Sequence, residues 1–322
     1  MTSLIGNAPV DGVDVAALLG IPISAEQERA VQAPLKPCAV IAGAGTGKTT
    51  VMAARVVWLV ASRLVSPEEI LGLTFTNKAT AELSERIESN LTRVGLLTSE
   101  QPRPTVATYD SFAGTLVNDY GAWDGISTGA HLITGARAYQ LAAEVVMGLD
   151  KAPLAATHMG PTFIAQAVVK LAGAMASHDA SPGKVRRADA RWRQMLLAAP
   201  TKRGGDRYAD IDKWLSRVDE REELLDLVAA YQNLKKERGL VEFGDRMVQA
   251  LHLVTHHPRV GEELRARYRV VLLDEYQDTS SAQADVLAAL FSGPDSAHGM
   301  GHPVMAVGDP LQAIYEWRGA AA

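Results

Sequence analysis

The stretch Ala39–Thr50, AVIAGAGTGKTT, decides the fold of this chain. A short apolar run leads into a glycine-rich turn, and a helical pattern begins directly after it. A strand, a glycine-rich turn and the start of a helix together place backbone N–H groups and the positive end of the helix dipole around a phosphate. The sequence therefore predicts a phosphate-binding loop between a strand and a helix.

The residues of this loop have separate expected roles. Lys48 is expected to reach the β- and γ-phosphates of a nucleotide, and the Thr49 hydroxyl is expected to bind Mg²⁺. In the general form of such loops the first glycine would stand at Ala42, so the glycines here are displaced along the chain. The alternative, a glycine-rich turn without a ligand, is disfavoured by the adjacent Lys-Thr and by the preceding strand. The predicted nucleotide-binding residues are Gly43, Ala44, Gly45, Thr46, Gly47, Lys48, Thr49 and Thr50.

Composition limits the class of protein. The 322 residues suggest about two domains, and 47% hydrophobic residues are ordinary for a soluble globular chain. A net charge of −5 argues against a wholly basic nucleic-acid coat but permits a local basic groove. The single cysteine, Cys38, allows no internal disulfide, and neither a cationic leader region nor a membrane-spanning apolar run is visible. We therefore predict a cytoplasmic protein with no membrane partner.

Apolar runs at residues 39–42, 70–75, 105–108, 269–273 and 304–307 predict the strands of a parallel α/β sheet. In the helix after the glycine-rich loop, Arg55 and Arg63 are expected to face solvent. Between about 115 and 238 the pattern is helical without strong strands, which predicts an all-helical insertion. One cationic zone in this insertion is either a solvated face or a phosphate contact, and it comprises Lys184, Arg186, Arg187, Arg191, Arg193, Lys202, Arg203 and Arg207.

Two acids follow the apolar run at 269–273. Asp274 is predicted to hold Mg²⁺, usually through water, opposite Thr49. Glu275 is then placed to orient and deprotonate a water that attacks the γ-phosphorus. Helix capping is the alternative use of two acids at a strand end. Gln312, beyond the neighbouring strand, is a candidate contact to the γ-phosphate, and the amide of Gln27 suits the edge of an adenine.

Five motifs occur in a fixed order along the chain: AGAGTGKT, LTFTNKA, TYDSF, LLDEYQDT and VGDPLQAIYEWRGA. Together they resemble the N-terminal motor half of UvrD/Rep-type superfamily 1A DNA helicases, over about residues 20–320. The form GDPLQAIY leans towards the RecB-like and AdnB-like branch of helicase–nuclease motors. The five motifs together are highly specific for this family. Of the single motifs, only the phosphate loop is specific by itself.

The resemblance implies a RecA-like P-loop NTPase domain with a parallel sheet over residues 1–114 and 239–322, and an inserted all-helical subdomain over 115–238. It also implies an ATP-dependent 3′-to-5′ DNA helicase or translocase that acts in DNA repair or recombination. The implied cofactors are ATP and Mg²⁺. The implied partners are single-stranded DNA, DNA junctions and a helicase–nuclease partner subunit.

The resemblance further assigns roles to single residues. Gln27 matches the family's adenine-reading glutamine, and the loop, the two acids and Gln312 match its nucleotide site. Trp317 would stack on a base of single-stranded DNA. Asp110 stands where the family usually has histidine, which puts a phosphate contact at this position in doubt. The expected DNA-contacting residues are Phe75, Thr76, Asn77, Tyr109, Ser111, Tyr315, Trp317 and Arg318.

The family's second RecA-like domain is expected to be absent from this chain, together with the arginines that stabilise charge on the transferred phosphoryl group. One alternative is therefore that this chain is a nucleotide- and single-stranded-DNA-binding module without useful turnover by itself. Another is a different P-loop ATPase, such as a RecA-type recombinase, which the Tyr-Trp-Arg segment after GDPLQ disfavours.

Overall fold

The computed structural model describes residues 12–127, 129–149, 160–202 and 204–313. The chain divides into two compact units, one built from the chain up to Ile126 and from Gln249 onward, the other from Ser127–Val248. The strands are β1 Cys38–Ile41, β2 Ile70–Thr74, β3 Thr105–Thr108, β4 His131–Leu132, β5 Leu240–Val241, β6 Val270–Leu273 and β7 Val304–Gly308. The helices are α1 Val15–Leu19, α2 Ala25–Val31, α3 Lys48–Ala61, α4 Asn77–Arg93, α5 Tyr109–Tyr120, α6 Gly135–Met147, α7 Pro161–Ser177, α8 Pro182–Leu197, α9 Ala209–Glu237, α10 Phe243–His256, α11 Pro258–Arg267 and α12 Ser281–Phe291.

Parallel strands form the sheet of the first unit, in the order β1-β7-β6-β2-β3. Every residue of β2 and β6 is buried, because these strands lie inside the sheet and are apolar along most of their length. Val40 of β1 pairs with Val307 of β7, and Leu272 of β6 pairs with Met305 of β7 and with Gly72 of β2. The carboxyl ends of β1, β7 and β6 therefore lie side by side at one edge of the sheet.

The predicted strands are confirmed to within one residue at either end. Two helices were not predicted. Helix α5 follows β3 without a loop, because the Thr108 side chain accepts a hydrogen bond from the Ser111 backbone N–H at 3.0 Å and caps the helix. Helix α11 begins at Pro258, a residue favoured in the first helical turn. No helix among the described residues is long and apolar enough to cross a membrane.

The core of the first unit joins the loop helix to the sheet. Met52 and Val56 of α3 are fully buried and pack in one hydrophobic cluster with Leu83 of α4. Leu272 and Val307 supply the sheet side of the same cluster. Because α3 begins at the phosphate loop, this packing fixes the loop relative to the strand ends.

The prediction that Arg55 faces solvent was wrong. Its side chain is 2% exposed, and its guanidinium donates hydrogen bonds to the carbonyls of Val31 at 2.7 Å and Pro34 at 3.3 Å, and to that of Ala33. These carbonyls lie at and beyond the end of α2, so Arg55 joins α3 to α2. Burial lowers the pKa of Arg55 to about 10, which keeps it cationic at neutral pH. Arg63 is exposed, as predicted.

The second unit has its own hydrophobic core. Leu141 of α6, Val168 of α7 and Val228 of α9 are almost fully buried in one cluster. The unit also contains a short parallel strand pair, in which His131 of β4 pairs with Leu240 of β5. The prediction of helices alone was therefore wrong here, because two-residue strands are too short to produce a periodic pattern.

The second unit is shifted along the chain from the predicted insertion at 115–238. Its end extends past α9 because the Lys235 ammonium, which is almost fully buried, bonds Glu242 at 2.7 Å and Asp245 at 2.6 Å. This charge network holds β5 and the start of α10 against α9. At the other boundary, α5 belongs to the first unit, where it follows β3.

Replacing Arg55 with methionine is expected to lower the free energy of unfolding by about 1–3 kcal/mol, because buried carbonyls lose their charged donor. Urea unfolding followed by circular dichroism measures the change. Arg29→Met is the matched control, since Arg29 lies on α2 with its side chain 76% exposed. Equal unfolding curves for the two variants would contradict the role given to Arg55.

Candidate nucleotide-binding site

The loop between β1 and α3 turns by means of two glycines with positive φ. Gly45 has a φ of 73°, and Gly47, the N-cap of α3, has a φ of 83°, values that glycine adopts without steric cost. Inside the loop the Thr46 hydroxyl donates to the Gly43 carbonyl at 2.8 Å. Among the described residues no side chain caps α3, so its first N–H groups remain available to an anion. Ala44, Gly45 and Thr46 are exposed.

Gln27 lies on α2 and contacts the loop directly. Its Nε2 donates to the Thr46 carbonyl at 2.8 Å, and its Oε1 accepts the Ser24 backbone N–H at 2.9 Å. The second bond belongs to a capping box that starts α2. A β-carbon at position 47 would lie 3.2 Å from Gln27 Nε2, so Gly47 permits this close approach. The structure brings the predicted adenine-reading residue against the phosphate loop, with both atoms of its amide already bonded.

Lys48 and Glu275 meet across the carboxyl edge of the sheet. The distance between Lys48 Nζ and Glu275 Oε2 is 3.1 Å, with the two side chains 12% and 36% exposed. Lys48 starts α3 after β1, and Glu275 follows β6, so the pairing of both strands with β7 brings the charges together. Glu275 adopts a left-handed backbone conformation, with a φ of 48°, which is uncommon for a residue with a side chain. Such strain is frequent at functional sites.

Gln277 holds Glu275 in place and was missed by sequence reasoning. Its Nε2 donates to Glu275 Oε2 at 2.8 Å, and its Oε1 accepts the Asp309 backbone N–H at 3.0 Å. A β-carbon at Gly308 would lie 2.3 Å from Gln277 Oε1, so β7 must end in glycine for the amide to fit. The amide therefore links the ends of β6 and β7. The sequence feature that could have indicated Gln277 is its position as a polar residue shortly after the buried strand β6.

Asp274 is the buried acid of the site, at 5% exposure. Its Oδ1 accepts the backbone N–H of Glu275 at 3.0 Å. Burial, reinforced by the charge of Glu275, raises the pKa of Asp274 to about 6. Within the described residues, neither Asp274 Oδ2 nor the Thr49 hydroxyl has a hydrogen-bond partner. The neighbouring Thr50 hydroxyl accepts a bond from Arg86 at 2.9 Å.

Tyr109 was predicted to contact DNA, but the structure buries it. Its side chain is 4% exposed, and its hydroxyl donates to the backbone carbonyl of Asp274 at 3.0 Å. Burial raises the pKa of Tyr109 far above its ordinary value, so the phenol stays protonated. Tyr109 thus ties the start of α5 to the buried acid. Ser111, two residues later, is exposed, whereas the Asp110 carboxylate accepts a bond from Gln283 at 3.1 Å.

The other predicted DNA-contacting residues fall into two groups. Phe75 is half-buried and Thr76 and Asn77 are exposed, and all three directly follow β2 at the carboxyl edge of the sheet. Thr76 also caps α4 by accepting the Ala79 backbone N–H at 3.1 Å. Tyr315, Trp317 and Arg318 lie outside the described residues.

Gln312, the predicted γ-phosphate contact, follows β7 in a short helical turn. Its Nε2 donates to the Asp309 carboxylate, whose other oxygen accepts the Leu311 backbone N–H at 3.0 Å. Gln312 therefore follows the strand that lies between β1 and β6, the two strands that precede the phosphate loop and the two acids. Asp309 is a second residue that sequence reasoning missed.

Two side chains of the site offer oxygen ligands for a divalent cation. Within the described ranges, no group of three or more His, Cys, Asp or Glu side chains is arranged to bind a metal ion. Thr49 and Asp274 offer two oxygen ligands of the kind that Mg²⁺ takes from proteins when phosphate oxygens and waters complete its octahedron. The free oxygens of these two residues fit that role.

The parallel sheet, the glycine-rich loop after β1 and the acids after β6 define a P-loop α/β protein. Its sheet fits a RecA-like helicase domain. The chain belongs to the UvrD/REP helicase N-terminal domain family, whose model matches residues 23–322. The predicted resemblance to UvrD-type superfamily 1A helicases is confirmed at this level.

Curated relatives agree with the family. DNA helicase II of Rickettsia typhi is 27% identical over 301 residues, which cover 92% of this chain and 38% of the relative. ATP-dependent DNA helicase UvrD1 of Mycobacterium tuberculosis is 28% identical over 303 residues, covering 92% and 34%. DNA helicase II of Haemophilus influenzae is 29% identical over 309 residues, covering 96% and 36%. The chain thus spans between 34% and 38% of the length of these relatives.

Replacing Asp274 with asparagine is expected to stabilise the chain at neutral pH in the presence of a chelator. The pKa of Asp274 is raised in the folded chain, so its charge opposes folding above about pH 6. We expect a gain of about 1–3 kcal/mol at neutral pH, lost as the pH falls through about 6 towards the ordinary carboxyl range. Urea unfolding as a function of pH measures it.

The matched control for this prediction is Asp285→Asn, because Asp285 is an exposed acid on α12. The control should leave the unfolding free energy unchanged at every pH. A neutral-pH destabilisation by Asp274→Asn would show that the carboxylate is favourable in the fold and would contradict the prediction.

Proposed function

We propose that this chain binds ATP with Mg²⁺ at the loop between β1 and α3, as the ATP-binding part of an ATP-dependent DNA helicase. The observation that carries the proposal is the 3.1 Å contact between Lys48 Nζ and Glu275 Oε2. A cation from a glycine-rich loop and an acid from a neighbouring strand end meet where open parallel sheets bind ligands. Family membership supports the same function.

Each side chain of the site has a proposed role. Lys48 binds the β- and γ-phosphates, together with the uncapped N–H groups of α3. A triphosphate competes with Glu275 for the Lys48 ammonium, which frees the carboxylate to accept a proton from water. Gln277 keeps Glu275 oriented, because it bonds the same oxygen and is itself fixed by Asp309.

Mg²⁺ would be held by Thr49 and Asp274, and when bound it neutralises charge on the phosphates. Gln27 is proposed to read the adenine edge. Its amide already bonds the loop, so purine contact requires Oε1 to accept a second bond or the amide to turn. Gln312 is proposed to report the γ-phosphate, and this role requires its amide to leave Asp309.

Single-stranded DNA is proposed to bind at the carboxyl ends of β2 and β3. Phe75, Thr76 and Asn77 are accessible there, and Ser111 is exposed on α5. Tyr109 is buried, so we assign it to positioning Asp274 rather than to contacting DNA. Tyr315, Trp317 and Arg318 retain their proposed DNA role from the resemblance alone.

The finer parts of the proposal rest on the resemblance. They are 3′-to-5′ travel, a role in repair or recombination, action at DNA junctions, a RecB-like or AdnB-like helicase–nuclease partner, and the second unit, Ser127–Val248, acting as an inserted subdomain. In the full protein, ATP would close a cleft between two RecA-like domains, and hydrolysis would reopen it. Alternate grip and release would then move the protein along the strand.

Lys48→Ala is expected to abolish ATP binding, because charge-assisted bonds to phosphate, each worth about 1.5–3 kcal/mol, are lost. Titration with a fluorescent ATP analogue measures the affinity. Lys36→Ala is the matched control, since Lys36 is exposed and precedes β1. Unchanged affinity in Lys48→Ala would remove the loop from the proposed site.

Glu275→Gln is expected to retain ATP affinity within about threefold while losing hydrolysis, because glutamine keeps the shape but accepts no proton from water. A steady-state ATPase assay, with and without single-stranded DNA, follows turnover in this chain and in the full-length protein. Retained turnover in the variant would exclude Glu275 as the base. ATP and DNA binding without turnover in the wild-type chain would support the alternative, a binding module without useful turnover.

A further inference from the structure

A cavity of about 560 Å³ lies within the second unit, between α7, α8 and α9. Part of its lining is buried and apolar, including Met175 and Val218. The exposed part of its lining includes two tryptophans, Trp192 of α8 at 54% exposure and Trp214 of α9 at 47% exposure. The cavity is therefore open to solvent between two indoles and closed below by apolar side chains.

The two indoles are neighbours, and each is about half exposed. Their ring centroids lie 6.3 Å apart and their planes are inclined by 46°. Tryptophan is highly buried on average in folded proteins, so a pair with about half of each side chain exposed is unusual. Exposed aromatic faces of this kind stack with nucleobases, each contact contributing to affinity whatever the base.

The charges that line the cavity favour an anionic ligand. The lining contains one acid, Asp189, and three cationic residues, Lys184, Arg217 and Arg221. Arg221 satisfies Asp189 through two bonds, at 2.8 and 2.6 Å, and Lys184 pairs with Asp179 at 3.0 Å. The Arg217 guanidinium lies 5.2 Å from the ring centroid of Trp214, and it has no carboxylate partner among the described residues. One free cation thus stands beside the aromatic pair.

Acids of α9 neutralise part of the predicted cationic zone. Arg186 pairs with Glu222 and Asp226, both at 2.6 Å, and Arg193 pairs with Asp219, so much of the charge on α8 is neutralised by α9. Arg187 and Arg191, one turn apart on α8, are exposed and have no acid partner in the described parts of the chain. Arg203 lies outside those parts.

We propose that Trp192 and Trp214 form a second contact for single-stranded DNA, separate from the strand ends of the first unit. An unpaired nucleobase stacks on the exposed indoles, and Arg217 binds the adjoining phosphate. Arg191, which precedes Trp192 on α8, is a second exposed cation for the same strand. The proposal rests on the proposed function insofar as the chain binds DNA. Duplex DNA is excluded from this contact, because its base faces are stacked on each other.

A protein partner fits the surface less well. An apolar segment that covered the indoles would remove water from Arg217, and a buried cation without a partner is costly. A phosphate provides that partner while the base covers the aromatic faces. The free charges at the cavity are cations, which is the sign that a nucleic acid requires.

The test compares variants of this chain with a fluorescein-labelled oligothymidylate, using anisotropy for affinity and tryptophan emission for stacking. Because Trp317 is also proposed to stack on a base, we expect oligothymidylate to quench the tryptophan emission of the wild-type chain more strongly than that of a variant without Trp192 and Trp214. A DNA duplex should not produce this difference. Trp192→Ala together with Trp214→Ala should weaken single-strand affinity about tenfold or more. Arg217→Gln should reduce the slope of log affinity against log salt by about one.

Controls separate stacking from packing. Phe163→Ala removes an exposed aromatic of α7 that does not line the cavity, and it should leave affinity unchanged. Trp192→Phe with Trp214→Phe keeps aromatic faces and should recover most of the affinity lost in the alanine pair. All variants should retain wild-type affinity for a fluorescent ATP analogue, which reports the first unit.

The outcomes distinguish this proposal from the proposed function. If the wild-type chain and the alanine pair bind single-stranded DNA equally well, the second contact is overturned and the proposed function stands. A chain that binds ATP but no DNA overturns both the second contact and the proposed DNA role. Loss of affinity in the alanine pair with recovery in the phenylalanine pair supports the proposal.

Discussion

The contact between Lys48 and Glu275 is the constraint on which the site depends. The two residues are 227 positions apart in the sequence. They meet because β1 and β6 both pair with β7, which places the ends of the two strands on either side of β7. A partly exposed ion pair of this kind contributes about 1 kcal/mol or less to stability. Its importance is positional, since it sets the loop cation against the acid at the carboxyl edge of the sheet, where β1, β7 and β6 end side by side.

Two features of the site lower the stability of the fold, and hydrogen bonds from adjacent residues offset them. Glu275 has a left-handed backbone, and Asp274 is a buried carboxylate with a raised pKa. Both features oppose folding. Hydrogen bonds from Gln277 and Tyr109 fix the side chain of Glu275 and the backbone of Asp274 from opposite sides of β6. Rigid support of this kind keeps reactive groups oriented, which is what a site for phosphoryl transfer requires.

Much of the fold could be predicted from the sequence, because it depends on local patterns. Apolar runs located the strands of the sheet, and the glycines with Lys48 located the loop between β1 and α3. The strand pair formed by β4 and β5 could not be found in this way, because two residues carry no period. The exposure of Arg55 was predicted wrongly, because a hydrophobicity pattern does not show that its guanidinium bonds three backbone carbonyls in the interior.

The sequence indicated which residues lie at the candidate site, but it did not indicate which of their side chains bond to each other. The strand-end position marked Asp274 and Glu275, since chemistry in parallel sheets collects there. Gln277 and Asp309 were missed because their roles come from bonding between two strands that are distant in sequence. Tyr109 lies in the expected motif, yet its hydroxyl turns inward to Asp274. The charge of the zone on α8 was visible, but its neutralisation by α9 depends on helix packing.

The most direct test of the account is a crystal structure of the chain with Mg²⁺ and a non-hydrolysable ATP analogue. We expect the Lys48 ammonium to leave Glu275 and to bond the β- and γ-phosphates, with Thr49 and Asp274 beside the metal and Gln277 still bonded to Glu275. A nucleotide bound elsewhere, or bound at the loop while Lys48 remains on Glu275, would contradict it.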